Sequence, residues 1–183
     1  MNFQNLTSGK SPEETKNDTS HSSHHKVPTC LATIQTDCRF ASLGWTAATT
    51  PDETTTTTTT KYPLGVIVGG MENGTVLVWD VQTIFESLSG SSAAANNSSV
   101  IQSFTQLHTS GPVKAVQFNS LLPTQLATGG SDGKIYIIDI ADESGEPWTP
   151  DGNTQSPQHR SPITVLAWNT KVAHILASAA SDG

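Results

Sequence analysis

His108 and Asp132 are the two residues of this sequence that come nearest to a chemical apparatus. A histidine oriented by an aspartate is the base half of a hydrolytic relay. Such a relay needs a nucleophile, and no motif places a serine or cysteine beside this pair. The chain holds no G-x-S-x-G, no P-loop and no H-E-x-x-H. Gly69-Gly70 and Gly129-Gly130 stand at strand ends before tight turns, with no helix start behind them, so they do not read as phosphate cradles. His21, His24 and His25 could form a metal tract. They fall in a polar run with no preformed site, and a solvated run is the better reading. Cys30 and Cys38 are the only cysteines, and no further ligand stands at a metal-site spacing. The expectation is a chain that is not an enzyme and has no cofactor and no metal.

Composition narrows the class. The 183 residues carry a net charge of −7, a pI near 5.2 and 34% hydrophobic content. Lysines and arginines are scattered singly, which argues against nucleic-acid binding through phosphate neutralisation. No apolar run approaches the roughly 18 residues of a membrane span, so no membrane insertion is expected. The first residues, MNFQNLTSGKSPEETK, lack the apolar core of a signal peptide. A cytoplasmic chain with reduced thiols is therefore expected.

The elements that must position His108 and Asp132 lie in one stretch, His108–Asp139. It reads as three short strands: Val113–Phe118, Gln125–Gly129 and Lys134–Ile140. Asn119, Ser120 and Pro123 separate the first two, and Gly130-Ser131-Asp132-Gly133 the last two. The stretch recurs. Ile163–Asn169 repeats Val113–Asn119, and Leu176–Gly183 repeats Leu126–Gly133. Upstream, Gly65–Asp80 matches the second half of the unit and ends in Trp79-Asp80, with Arg39–Trp45 as its first strand. Three copies with a Gly-rich turn and a WD-type ending mark an all-β fold, a partial WD-repeat β-propeller. About three blades are expected, the last incomplete. The chain then reads as a fragment, and open blade faces should stay uncovered.

In chain order, residues 1–29 read as a disordered polar tail and 30–183 as the partial propeller. Phe40, Leu43 and Trp45 are the expected core-facing residues of the first strand. Low-complexity loops are expected at 48–62, with its run of threonines, at 86–99 and at 141–161. Val100–Leu107 should supply an outer strand. In the last loop Trp148 could be an exposed anchor for a partner, but packing down on the propeller edge is the better reading.

Four stretches resemble one family, the large outer-cage subunit of the COPII vesicle coat (the Sec thirty-one family). They are Ala32–Trp45, Leu64–Asp80 with its Gly69-Gly70-Met71-Glu72-Asn73-Gly74 hairpin, His108–Asp139, and Pro162–Ala179 with its N-x-x-V-x-H-I-L pattern. The Trp148–Gly152 loop is also similar. The resemblance implies WD-repeat structural positions at Trp79, Asp80, His108, Asp132, Asp139, Trp168 and Asp182. A turn aspartate in such repeats accepts hydrogen bonds from an entrance histidine and a return-strand tryptophan. Here Ile138 replaces the tryptophan of the middle repeat, and Asn73 replaces the aspartate of the preceding one. The resemblance further implies a structural role in endoplasmic-reticulum-to-Golgi transport, peripheral on exit sites and coated vesicles. The implied partners are the small WD-repeat outer-coat protein, other cage subunits and the inner coat. The alternative is a WD-repeat adaptor that binds a partner peptide.

Overall fold

The computed structural model describes residues 30, 33–46, 61–89, 99–142, 145–150 and 157–183. The chain divides into two units, Met1–Cys30 and Leu31–Gly183, and every described strand belongs to the second. The expectations for the 1–29 tail with its histidines, and for the threonine run, lie outside the described residues.

Three antiparallel sheets succeed one another along the chain. The first has the order β1-β2-β3-β4, from Phe40–Thr46, Val66–Met71, Val76–Asp80 and Val100–Phe104. The second has the order β5-β6-β7, from Val113–Phe118, Gln125–Gly130 and Ile135–Asp139. The third pairs β8, Ile163–Trp168, with β9, Leu176–Ala180. These are three blades of an all-β, propeller-type fold. The outer strand expected after residue 100 is β4, and it pairs with β3.

Matching turn bonds fix the register between blades. Gly130 N donates to Lys134 O (3.2 Å) and Gly133 N to Gly130 O (3.3 Å). In the first blade the same bonds run from Met71 N to Thr75 O (2.9 Å) and Gly74 N to Met71 O (3.3 Å). Met71, rather than Gly70, therefore stands where Gly130 does. The first strand of every described blade carries a register shift near its start, at Phe40/Ser42, Val113/Ala115 and Ile163/Val165. These bulges bring Trp45, Phe118 and Trp168 into equivalent places.

Apolar residues join the blades. Val66, Val68, Val76 and Val78 of the first blade, all at 0% exposure, meet Val113, Phe118, Leu126 and Ile138 of the second. The opposite face of the second blade offers smaller groups. Ala115, Ala127, Ile135 and Ile137 receive Ile163, Leu166 and Trp168 of the third. Strand β7 is thus covered on both sides, which explains its unbroken apolar run.

Two expectations need correction. Of the three residues expected to face a core, Leu43 and Trp45 do not, at 65% and 61% exposure, while Phe40, 43% exposed, lies across the buried Trp79. Leu43 and Trp45 lie on the side of β1 that corresponds to Val116 and Phe118 in β5. That side presses on a preceding blade, and no described blade precedes β1. The loop expected at 86–99 starts later, because Val81–Ser89 form a helix, α1. Asp80 caps it, accepting from Gln82 N (3.1 Å) and Thr83 Oγ1 (2.8 Å). Val81 and Ile84 bury against the sheet, Ile84 beside Met71 and Trp79. Trp148 docks on the propeller edge by its backbone and stays half exposed. Its N and O bond to Ile137 (2.9 and 2.7 Å) on the β7 edge, while the side chain is 48% exposed.

Candidate functional site

Asp132 occupies the tight turn between β6 and β7, and His108 the segment that enters the second blade. The turn aspartate folds back on its own backbone, with Oδ1 accepting from Lys134 N at 3.1 Å. The same oxygen lies 2.9 Å from His108 Nδ1. On the far side of the ring, His108 Nε2 is 3.1 Å from Thr128 Oγ1. A carboxylate can only accept, so Nδ1 carries a proton toward it, and in the neutral ring Nε2 accepts from the threonine hydroxyl. Tyr136 sets its ring edge-on to the imidazole, with centroids 5.1 Å apart. Burial pushes the Asp132 carboxyl up. The hydrogen bond and charge of His108 and the contacts to Lys134 outweigh it, and hold the carboxyl below its usual value of 3.8.

The order Thr128–His108–Asp132 has the form of a nucleophile–base–orienter relay, but it is sealed. Thr128 and His108 are both 0% exposed, so no substrate carbonyl can reach the hydroxyl. What the chain of bonds can do is tie three segments together: the blade entrance, the middle strand and the turn. Gly130 makes room for it, since a Cβ there would run into the imidazole and the Asp132 carboxylate.

The backbone fastens the same place to the preceding blade. His108 N donates to Gly74 O at 3.1 Å, and His159 N to Gly133 O at 3.0 Å. Gly74 and Gly133 have φ of +83° and +72°, and a Cβ on either would strike the carbonyl of His108 or His159. Each of these two blade entrances therefore sits on the tight turn of the blade before it.

The remaining positions separate into two groups. Asn73 does the turn work of Asp132, accepting from Thr75 N at 3.1 Å, but reaches no histidine. Trp79 is buried to 1% exposure, with Phe40 tilted across it at 5.8 Å. Ile138, at 0% exposure, joins the apolar core instead of the hydrogen-bond chain. Asp80 caps α1, and Asp139 closes a turn through Ala141 N at 3.0 Å. Trp168 anchors across blades, its Nε1 donating to Gln117 O at 3.2 Å. Asp182 is exposed in the last turn.

His159 is the residue that sequence reasoning misses. Its Nε2 lies 2.8 Å from Ser178 Oγ, as His108 does from Thr128. The repeat spacing carries the signal, since His159 and Ser178 follow His108 and Thr128 by 51 and 50 residues. Ala180 occupies the place of Gly130 there, where its Cβ excludes the ring position that His108 takes.

No metal-ligating cluster occurs among the described residues, and no helix among them is long and apolar enough to cross a membrane. A cavity of about 490 Å³ opens on the first blade, beside Thr36, Asp37, Cys38, Leu77 and Trp79.

No family model matches the chain. A protein transport protein SEC31 of Dictyostelium discoideum is 34% identical over 158 residues, which is 86% of this chain and 11% of that protein. A protein transport protein Sec31A of Danio rerio is 40% identical over 121 residues, 66% of this chain and 8% of that protein. Among solved structures, the β-propeller domain of Myceliophteria thermophila Cps50 (Swd1) gives a TM-score of 0.45 at 16% identity, over 64% of this chain and 30% of that one. The chain spans about a tenth of the length of the curated relatives it matches. Within that span, its sequence belongs to the SEC31 family of protein transport proteins.

Proposed function

We propose that this chain is the propeller portion of a structural component of the COPII outer coat, acting in transport from the endoplasmic reticulum to the Golgi. The observation that carries the reading is 34–40% identity to SEC31 proteins across the blades. The mechanism is geometric. Blades fastened by apolar faces and turn-to-entrance bonds make a rigid body, and its loops meet neighbouring proteins. Those neighbours are the small WD-repeat outer-coat protein, other cage subunits and the inner coat. Trp79, Asp80, His108, Asp132, Asp139, Trp168 and Asp182 serve as structural positions of the repeat. A structural rather than a catalytic role fits the burial of His108 and Thr128, which are both closed to solvent.

The test is location. The tagged chain, expressed at native level, should concentrate at endoplasmic-reticulum exit sites with an inner-coat marker, and disperse when coat assembly is blocked. A signal indifferent to that block would overturn the reading.

A further inference from the structure

The second blade closes its outer edge differently from the first. In the first, β3 pairs with β4 from Val76↔Phe104 to Trp79↔Val100. In the second, the strand pairing at that edge of β7, among the described residues, is a single bridge between Ile137 and Trp148. Trp148 N donates to Ile137 O at 2.9 Å, and Ile137 N to Trp148 O at 2.7 Å. A side chain, not a strand, takes the next amide along the edge: Ile135 N donates to Gln158 Oε1 at 2.6 Å. Residues 145–150 therefore lie on the blade as a strap whose backbone is fastened to it at one point.

Thr149 stands beside that point. It is 2% exposed, and its Oγ1 finds no hydrogen-bond partner among the described residues. A buried hydroxyl left unpaired is unfavourable, and it offsets much of what two backbone bonds contribute net of solvent. Docking of the strap is thus close to balanced. Opening it bares little further apolar surface, since Trp148 is already 48% exposed and Pro150 is exposed. The sequence favours an extended form once the strap is open. Pro147 and Pro150 bracket Trp148-Thr149, and a residue before proline stays extended. A threonine hydroxyl on an extended segment, directly before a proline, is the acceptor form of a proline-directed protein kinase. Ser161-Pro162 offers the same dipeptide in a tighter setting. There His159 N donates to Gly133 O and Pro162 O accepts from Ser181 N, both at 3.0 Å, which clamps the segment between two blades.

We infer that Thr149 is a phosphorylation site for a proline-directed kinase that uses a nucleoside triphosphate, and that the phosphate keeps the strap off β7. Thr149 Oγ1 attacks the γ-phosphorus, and the bond from that phosphorus to its bridging oxygen breaks. The nucleoside diphosphate leaves with the electron pair, and the hydroxyl proton passes to the base of the kinase. The product carries about two negative charges at neutral pH. The buried place that gave the neutral hydroxyl no partner gives those charges none either, and Asp142 and Glu146 of the same loop add like charge. The modified strap stays open, and Ile137 N and O are freed on the β7 edge. The site is independent of the proposed coat role.

Treating the full chain with a proline-directed kinase and Mg-ATP tests it, with phosphate mapped by tandem mass spectrometry and amide exchange followed residue by residue. Phosphate should appear on Thr149. Exchange at Ile137 and Trp148 should then rise toward that of unprotected amides, while β5 and β6 stay protected. Thr149→Val removes the acceptor and puts a methyl group in place of the unpaired hydroxyl. That variant should exchange more slowly at Ile137 than the parent, and kinase treatment should leave that rate unchanged. A synthetic peptide of residues 145–152, treated in parallel, should take phosphate on the same threonine. A peptide that takes none, or a chain that stays unmodified at Thr149 while the peptide is modified, would overturn the inference. So would phosphate on Thr149 with Ile137 exchange unchanged, or faster Ile137 exchange in the kinase-treated Thr149→Val chain.

Discussion

The first and second hairpins solve one problem with opposite chemistry. Each must fix a tight turn, a middle strand and an incoming entrance segment against one another. The second does so with Asp132, His108 and Thr128 in a hydrogen-bonded line. The first fills the corresponding ground with Phe40, Met71 and Trp79, where Gly69 leaves room for the two rings. The local backbone is nevertheless the same, down to matching turn bonds. The repeat therefore specifies a shape, and either polar or apolar contents can hold it.

That comparison can be broken at its apolar end first. Trp79 is 1% exposed, so Trp79→Ala should destabilise by about 3–5 kcal/mol through lost burial and the cavity left behind. Urea unfolding measures it. A cost near that of a surface change would mean that packing does not hold the first hairpin. On the polar side, Gly130→Ala pushes a methyl group into the His108 ring. Overpacking of this kind costs about 1–3 kcal/mol, and the imidazole must leave Asp132. The third blade carries that alanine naturally as Ala180, and His159 there keeps its bond to Ser178. The variant should therefore lose the Nδ1 contact, read from the His108 ring resonances, while keeping the sheet.

How much of this the sequence carries depends on what each residue answers to. Strands β5 to β9 are legible because apolar runs and Gly-Asp turns recur at a fixed spacing. The His108–Asp132 bond is legible through the resemblance to WD repeats, in which a turn aspartate accepts from an entrance histidine. The exposure of Trp45 is not, because a strand's pattern says which residues share a face, not whether another blade covers it. The helix α1 is hidden because Ser and Gly in the following run mask a short i, i+3, i+4 pattern at Val81, Ile84 and Phe85. Asp80 at its start looks like the end of a strand, when it is also a helix cap. His159 is obscured because the Pro- and Gly-rich segment before it disguises the repeat spacing.

A smaller effect sharpens the polar side. Asp132→Ala leaves the buried His108 Nδ1 without its acceptor, at a cost of about 1–3 kcal/mol. Asp132→Asn adds a signature in pH. The folded carboxyl lies below its ordinary 3.8, so the unfolded chain binds the proton more readily. The stability that this group adds is complete above the unfolded value, and is lost as pH falls through the folded one. Parent and variant should therefore converge in stability as pH drops below about 4, the ordinary carboxylate range. Asn73, which contacts only its own turn, should give a smaller loss on Asn73→Ala. Parallel pH profiles for parent and Asp132→Asn would remove the charge from the account of the second hairpin.

The smallest effect separates two aspartates that the repeat makes equivalent. Asp80 and Asp139 both end the third strand of a blade, and each accepts from a backbone amide two residues on, at 3.1 and 3.0 Å. After Asp80 the chain continues as α1, so its carboxylate also satisfies Thr83 Oγ1 and caps a helix start. After Asp139 the chain turns through Asp142 N to Asp139 O and Gly145 N to Asp142 O, and no helix forms among the described residues there. Removing a helix cap costs about 0.5–2 kcal/mol, typically near 1. Asp80→Ala should therefore speed amide exchange along residues 81–89 while leaving β2 and β3 protected. Asp139→Ala should change exchange only in the exposed turn. Were the two variants to open their blades alike, the aspartate would belong to the blade itself. A difference confined to α1 makes it a residue whose work is set by the segment that comes after it.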